Sequence, residues 1–340
     1  MAHRGVWGLL LLVVALVLVG CESGKPAAAK ADPGAAVDGA LTSLGQQAAV
    51  AYRIGEETLN VTRTGLAQGT LSLKDQQVKV LRAGGVLYLR APAEYWQAQG
   101  MQQDRATEYG SRWARSVLAF ELGGTLAPAD VARTLRAAVT TSTPAERTML
   151  ADGTDVFDVG GLRVTATQPY RVVSIDPALL GPAVVNALGT GPLNVDALDA
   201  AKLTALHEAF GQSVQDLAQP FVAGPVIATT VSSNDLKCAA AGSCIDTVQV
   251  ENKLIGDAPD AAARLVLKSS VTSAQLGAKD CGQELVTPLN GSATMTCSVQ
   301  FALPKLTGSA KVEAVPTVAA EPVAVVDPAA LDREVAADLG

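Results

Sequence analysis

Three groups of residues in this chain have types and spacings that could do chemistry: a histidine, a run of aspartates and a set of cysteines. His207 is the only histidine beyond His3, and a hydrolytic triad needs such a base to activate its nucleophile. Yet His207 follows Leu206 and precedes Phe210 by three residues, which puts it at the edge of an apolar helical face. The pattern G-x-S-x-G of a serine hydrolase is absent, as are a phosphate-binding loop and a dinucleotide fingerprint, since "GTGPLN" fails the spacing. Asp152, Asp155 and Asp158 recur every third residue in "DGTDVFD". A calcium loop needs more oxygen ligands and a bidentate glutamate, so the triplet reads as an Asp-Gly turn leading into a strand. Carboxylate pairs for glycoside hydrolysis could be distant in sequence, but the chain has few aromatics to build a sugar platform. The expectation is a protein that is not an enzyme, with no cofactor and no metal.

The cysteines say more. There are five, at Cys21, Cys238, Cys244, Cys281 and Cys297. The last four lie in the final third, where three connectivities can join them. Sequence-local pairing, Cys238 with Cys244 and Cys281 with Cys297, is favoured, and it requires export to an oxidising compartment. The first is left over, and its surroundings explain it. Val6 to Val19 is an apolar run after Arg4. It is shorter than the roughly 20 residues of a membrane-spanning helix and has the length of a signal-peptide core. It ends in Leu18-Val19-Gly20-Cys21, which resembles the lipobox of bacterial lipoproteins. The resemblance implies that residues 1–20 are a signal peptide. It also implies that Cys21 becomes the acylated first residue of a chain held on the extracytoplasmic face of the cell membrane. Diacylglyceryl and palmitate-type chains together anchor stably, where one chain would not.

The whole chain carries 26 basic and 33 acidic residues, a net charge of −7, and loss of Arg4 makes the mature form one unit more negative. An acidic chain offers no electrostatic footprint for nucleic acid and no basic patch for an anionic leaflet. The expected membrane contact is therefore the lipid on Cys21.

The elements that must carry these residues fall into segments. Residues 21–45, rich in Ala, Gly, Pro and Lys, read as a flexible tether. Residues 46–177 read as β-rich. "AVAYRI", "TLNVTRT", "GTLSLKD", "VKVLRA" and "VLYLRA" are separated by turn signals at Lys74-Asp75 and Gly84-Gly85. The partial alternation predicts an antiparallel sheet with one face covered and one wet. Helices are expected at Ala93–Met101 and Pro128–Val139, then three strands in "DVFDVGGLRVTATQPYRVVSID". Residues 178–222 read as helical, with Val195, Leu198, Leu206, Phe210, Val214 and Leu217 at helical spacing. Residues 223–305 read as a small disulfide-bearing β-sandwich. Residues 306–340 read as an Ala/Val/Pro/Glu-rich tail, extended or disordered, with a terminal helix capped by Asp327.

The segment from "TLNVTRTG" through "GGVLYLRAPAEYW" to "YGSRW" and "LAPADVARTLRAA" resembles actinobacterial lipoproteins whose β domain is of the LolA/LppX type. That resemblance implies an α+β fold in which a curved antiparallel sheet, a half-barrel, carries covering helices. In some relatives it encloses a lipid-binding cavity. Val248-Gln249-Val250-Glu251-Asn252 and the turn Pro288-Leu289-Asn290-Gly291-Ser292 resemble Ig-like modules of the FxLYD kind. Most aromatic residues of the first unit are Tyr88, Tyr95, Trp96, Tyr109 and Trp113. They either pin the core or, for Tyr88, Tyr95, Trp96 and Trp113, line the rim of an apolar-ligand cavity. Two functions follow as expectations. One is an interaction or structural module of the cell envelope with a protein partner there. The other is a carrier of a lipid or other apolar ligand.

Overall fold

A computed structural model describes residues 32–116, 122–140, 142–303 and 309–340. The signal segment and Cys21 lie outside the described residues. The described chain opens with helix α1 (Pro33–Gly45), where Asp32 accepts a hydrogen bond from the Gly34 N–H and Pro33 sits in the first turn. The expected tether is corrected over residues 33–45, while its residues 21–31 lie outside the described residues. Ala36, Ala40, Leu41 and Leu44 are buried on one face, a stripe easily missed because alanines supply half of it.

Strands β1 (Ala49–Ile54), β2 (Glu57–Thr62), β3 (Ala67–Leu73), β4 (Gln76–Ala83) and β5 (Val86–Arg90) form an antiparallel meander. Lys74 and Asp75, and then Gly84 and Gly85, all have positive φ, the left-handed pairs that close two-residue hairpins. Helices α2 (Ala93–Ala98) and α3 (Gln103–Tyr109) lead to β6 (Trp113–Arg115), which pairs with β5. Helices α4 (Leu122–Leu126) and α5 (Pro128–Ala138) follow.

On the other side of β1 lie β7 (Ala145–Met149), β8 (Asp155–Val159), β9 (Leu162–Thr165) and β10 (Val172–Ile175). A short 3-10 turn, helix α6 (Pro182–Leu188) and β11 (Leu193–Ala197) complete this half. β11 fills the slot between β1 and β10, which corrects the all-helical reading of 178–222. Val195 faces Tyr52 of β1 in the sheet register; the helix α7 (Ala200–Gln215) starts only after the Asp199 cap. A stretch as short as "LNVDA" fits either period, and only the open slot decides it.

The wet face expected for this sheet is also corrected. One face packs on α1, α2, α3, α5 and α6 through Leu41, Val131, Leu135, Val184 and Tyr109. The opposite face packs on α7 through Leu206, Phe210 and Val214. Four consecutive residues of β1 are accordingly buried, as in a strand covered on both sides.

The remaining strands are β12 (Phe221–Val222), β13 (Val226–Cys238), β14 (Ser243–Ile255), β15 (Ala261–Ser273), β16 (Gly277–Pro288), β17 (Ser292–Gln300) and β18 (Glu313–Ala324). The fold is α+β, and the large sheet is mixed rather than purely antiparallel. It has 15 strands in the order β16-β15-β18-β12-β6-β5-β4-β3-β2-β1-β11-β10-β9-β8-β7, beside a separate three-stranded sheet β13-β14-β17. The small sheet packs on the β16-β15-β18 end through Val248, Val250, Leu265, Leu267 and Met295. The two β units therefore share one sheet, and the larger one is not a closed barrel.

The expected tail is corrected in its middle, which is β18, paired with β15 over Ala261–Thr272, while its end is the expected helix, α8 (Pro328–Leu339), capped by Asp327. α8 lays Leu331 and Val335 into the same core as α7. The Ala/Val/Pro alternation of "VEAVPTVAAEPVA" is a strand pattern whose partner lies some 50 residues upstream, roughly a loop's length that no local reading spans.

Candidate functional site at the seam between the two β units

The seam is built around a two-residue strand. Phe221 and Val222 of β12 run parallel to Ala114 and Arg115 of β6, while Phe221 pairs antiparallel with Val323 of β18. A further backbone bond joins the Ala324 N–H to the Pro220 carbonyl at 2.8 Å. One short strand thus splices two larger sheets.

Aromatic rings collect around Phe221. Tyr109 stacks on it at 4.0 Å between centroids with planes 15° apart, and Trp96 meets it edge-on at 5.1 Å. Tyr95 meets Trp96 edge-on at 5.0 Å. The two edge-on geometries suit the quadrupoles of the rings. The Trp96 indole donates to the Ala91 carbonyl at 3.2 Å, so its one polar atom is satisfied within the core.

A charge network overlies the rings. Arg112 donates to both carboxylate oxygens of Glu321, at 2.6 and 3.0 Å. Arg264 donates to Glu321 at 2.6 Å and to Glu284 at 2.6 and 2.7 Å. The Arg112 guanidinium also sits 5.1 Å from the Tyr109 ring centre and 5.6 Å from that of Phe221. Glu321 is only 6% exposed. Burial by itself raises its pKa, but hydrogen bonds led by Arg112 outweigh this and hold the carboxyl below the usual glutamate range. Burial pushes the Tyr109 hydroxyl up to about 12, against the hydrogen bond from Arg105. The charges come from four elements: Arg112 just before β6, Arg264 on β15, Glu284 on β16 and Glu321 on β18.

Beside the rings opens a cleft of about 520 Å3, between α2–α3, the β5–β6 edge and the start of β13. Tyr95, Trp96, Met101 and Tyr109 form its apolar wall, with Arg105 and Arg115 among its lining.

The expected rim residues divide between two faces. Tyr95 and Trp96 reach the cleft, whereas Tyr88 and Trp113 lie on the opposite side of the sheet in the core under α7. The reason is strand parity: Leu89 and Ala114 face one side, so Tyr88 and Trp113 must face the other. The Trp113 indole N–H has no hydrogen-bond partner among the described residues.

Both disulfides take the sequence-local pairing. Cys238–Cys244 closes the β13–β14 hairpin between directly opposed residues. Cys281–Cys297 ties β16 to β17, hence one sheet to the other. Next to it the Ser269 hydroxyl donates to buried Asp246 at 2.5 Å across the same interface. Cys297 is opposite Asp246 in one sheet and Cys281 opposite Ser269 in the other, so the four form a closed square. The Val248–Asn252 segment and the Pro288–Ser292 turn also meet. Asn252 donates to the Pro288 and Gly291 carbonyls and accepts from the Asn290 N–H.

The remaining candidates stay apart. Asp152 accepts from the Thr154 N–H, Asp155 pairs with Arg147, and Asp158 with Arg163. His207 is half-buried beside Leu206 on α7. No cluster of metal-ligating side chains occurs among the described residues. No helix among them is long and apolar enough to cross a membrane.

The residues that sequence reasoning missed are Arg112, Phe221, Arg264, Glu284 and Glu321. The available signal was Glu321 itself, a charge inside an alternating apolar tract. No family model, curated protein or solved structure matches this chain.

Proposed function

We propose that this chain is a lipid-anchored extracytoplasmic protein that works as a rigid interaction module of the cell envelope. The carrying observation is the seam: β12 and β18 join both β units into one sheet, and Glu321 locks them by three charge-assisted hydrogen bonds. A spliced sheet fixes the relative position of the surfaces on both units, which suits a partner that touches both. The carrier reading, with its lipid inside a first-unit half-barrel, draws less support. The helix-covered faces of that sheet are filled by Leu41, Leu44, Val131, Leu135, Phe210 and Val214.

Two arms test the reading in a bacterium with lipoprotein processing. Cys21→Ala should move the protein from the membrane fraction to the soluble one. Photo-crosslinkers placed singly at exposed Lys253 and Glu56, one per unit, should give the same protein adduct in intact envelopes. A Cys21→Ala variant that stays on the membrane overturns the anchor, and adducts to unrelated proteins at random overturn the single-partner module.

A further inference from the structure

Asp246 is fully buried between the two sheets of the disulfide-bearing unit, and its two oxygens are treated differently. Oδ2 accepts from the Ser269 hydroxyl at 2.5 Å, whereas Oδ1 has no hydrogen-bond partner among the described residues. A carboxylate oxygen shut away from water without a donor is costly. Such a group calls for a state of the protein in which a donor is present.

The strand registers show where that donor can arise. The Phe301 N–H bonds the Gly242 carbonyl, and the Asn252 N–H bonds that of Gly291. Even-numbered residues of β14 therefore form the hydrogen-bonded pairs with β17, and Asp246 with Cys297 is one of them. In such a pair the Cα atoms stand about 5.5 Å apart and both side chains share a face. Here it is the inward face, because Cys297 crosses the sandwich to Cys281, which is opposite Ser269. Cys244 and Val248, two residues to either side of Asp246, share that face. The surrounding core residues Val250, Leu267, Val271 and Met295 carry no donor hydrogen on their side chains. Apart from Ser269, only sulfur remains, and a disulfide sulfur has no hydrogen to give. Reduction supplies one.

We propose that Cys281–Cys297 is a reversible thiol–disulfide exchange site for a dithiol reductant, with Asp246 Oδ1 accepting the S–H of the reduced Cys297. Cys281 is the approachable member, half-buried on the end strand of the large sheet, while Cys297 is buried. A thiolate of the reductant attacks Cys281 Sγ and breaks the S–S bond, and Cys297 leaves with the electron pair and takes up a proton. The second thiol of the reductant then displaces Cys281 from the mixed disulfide, and Cys281 is protonated in turn. Two electrons pass to the protein, the reductant becomes a cyclic disulfide, and the two protons it releases to solvent balance the two taken up. The Ser269–Asp246 hydrogen bond and the apolar core still join the sheets, so the crosslink opens without separating them. The site is independent of the envelope-module reading, because it concerns only the chemistry of the purified protein.

The test uses the full chain, equilibrated without oxygen in graded ratios of dithiothreitol to its cyclic disulfide. Acid quenching, alkylation and peptide mapping give the reduced fraction of each cysteine, and hydrogen exchange reports whether β14 and β17 stay protected. Cys281 and Cys297 should titrate together and reversibly while that protection persists. Asp246→Val with Ser269→Ala removes the acceptor and its partner together, and should shift the midpoint toward the disulfide by about three- to tenfold, the value of one hydrogen bond. Ser269→Ala alone frees both oxygens and should shift it toward the dithiol, so the decision stands even if the double variant does not fold. Reduction that occurs only with loss of protection over β14 and β17 overturns exchange in the folded protein. A midpoint that Ser269→Ala leaves unchanged or moves toward the disulfide overturns Asp246 as the acceptor. A shift seen at Cys238–Cys244 instead overturns Cys297 as the donor.

Discussion

Replacing Glu321 by glutamine would probe the seam with almost no change of shape. Glu321 accepts three hydrogen bonds from two guanidiniums, at 2.6, 2.6 and 3.0 Å. The amide keeps one acceptor oxygen and sets an N–H2 group against a cation. Arg112 and Arg264 are each roughly three-quarters buried at the side chain, so both keep a desolvated charge with less to offset it. Removing one partner of a buried pair typically costs about 3–5 kcal/mol; Arg264 retains Glu284, which places the expected loss near the lower end, about 3 kcal/mol. Glu284→Gln is the control, because Glu284 is nearly half exposed and exposed pairs contribute about 0–1 kcal/mol. The pH dependence has a definite sign. The folded-state pKa of Glu321 is depressed, so its stabilisation is complete above the unfolded glutamate value and is lost as pH falls through the lower folded value. The gap between wild type and Glu321→Gln in urea denaturation should be constant near neutrality and shrink in acid. A loss no greater than that of Glu284→Gln, or a gap that widens in acid, would refute the reasoning.

Three other expectations concern stability. With loops of 16 and 6 residues, replacing both members by serine should cost about 3 kcal/mol for Cys281–Cys297 and about 2 kcal/mol for Cys238–Cys244; equilibrium unfolding checks the order, and peptide mapping of the exported protein should recover no free thiol at these four positions. Trp96→Ala should cost about 3–5 kcal/mol, because Trp96 is 3% exposed and packs against Phe221; a melting temperature near wild type would contradict the packing. Leu331→Ala on α8 should cost about 2 kcal/mol, measured by thermal melting, whereas a helix loosely attached as part of a tail would lose almost nothing.

What this sequence settles by itself is local. The turns at Lys74-Asp75, Gly84-Gly85 and Gly160-Gly161 are legible because each residue there takes positive φ, a demand that few residue types meet. The α5 and α7 helices and the Asp327 cap are legible from spacing and side-chain chemistry that act within one or two turns. The disulfide pairing follows the shortest loops. Other elements were invisible because their reason lies elsewhere in the chain. α1 hides its stripe in alanines, and β11 is a five-residue strand that exists because β1 and β10 leave a gap. β18 reads as low complexity until β15 supplies its hydrogen bonds. The seam is the extreme case. Arg112 and Glu321 stand 209 positions apart, and no spacing rule relates them. Which face Tyr88 and Trp113 take depends on pairing register, and one step of register moves a side chain through the sheet. Propensity, capping and turn chemistry are short-ranged and can be read in order along the chain. Pairing partners, burial of charge and the cleft between the units depend on which distant surfaces meet, and only the tertiary structure decides that.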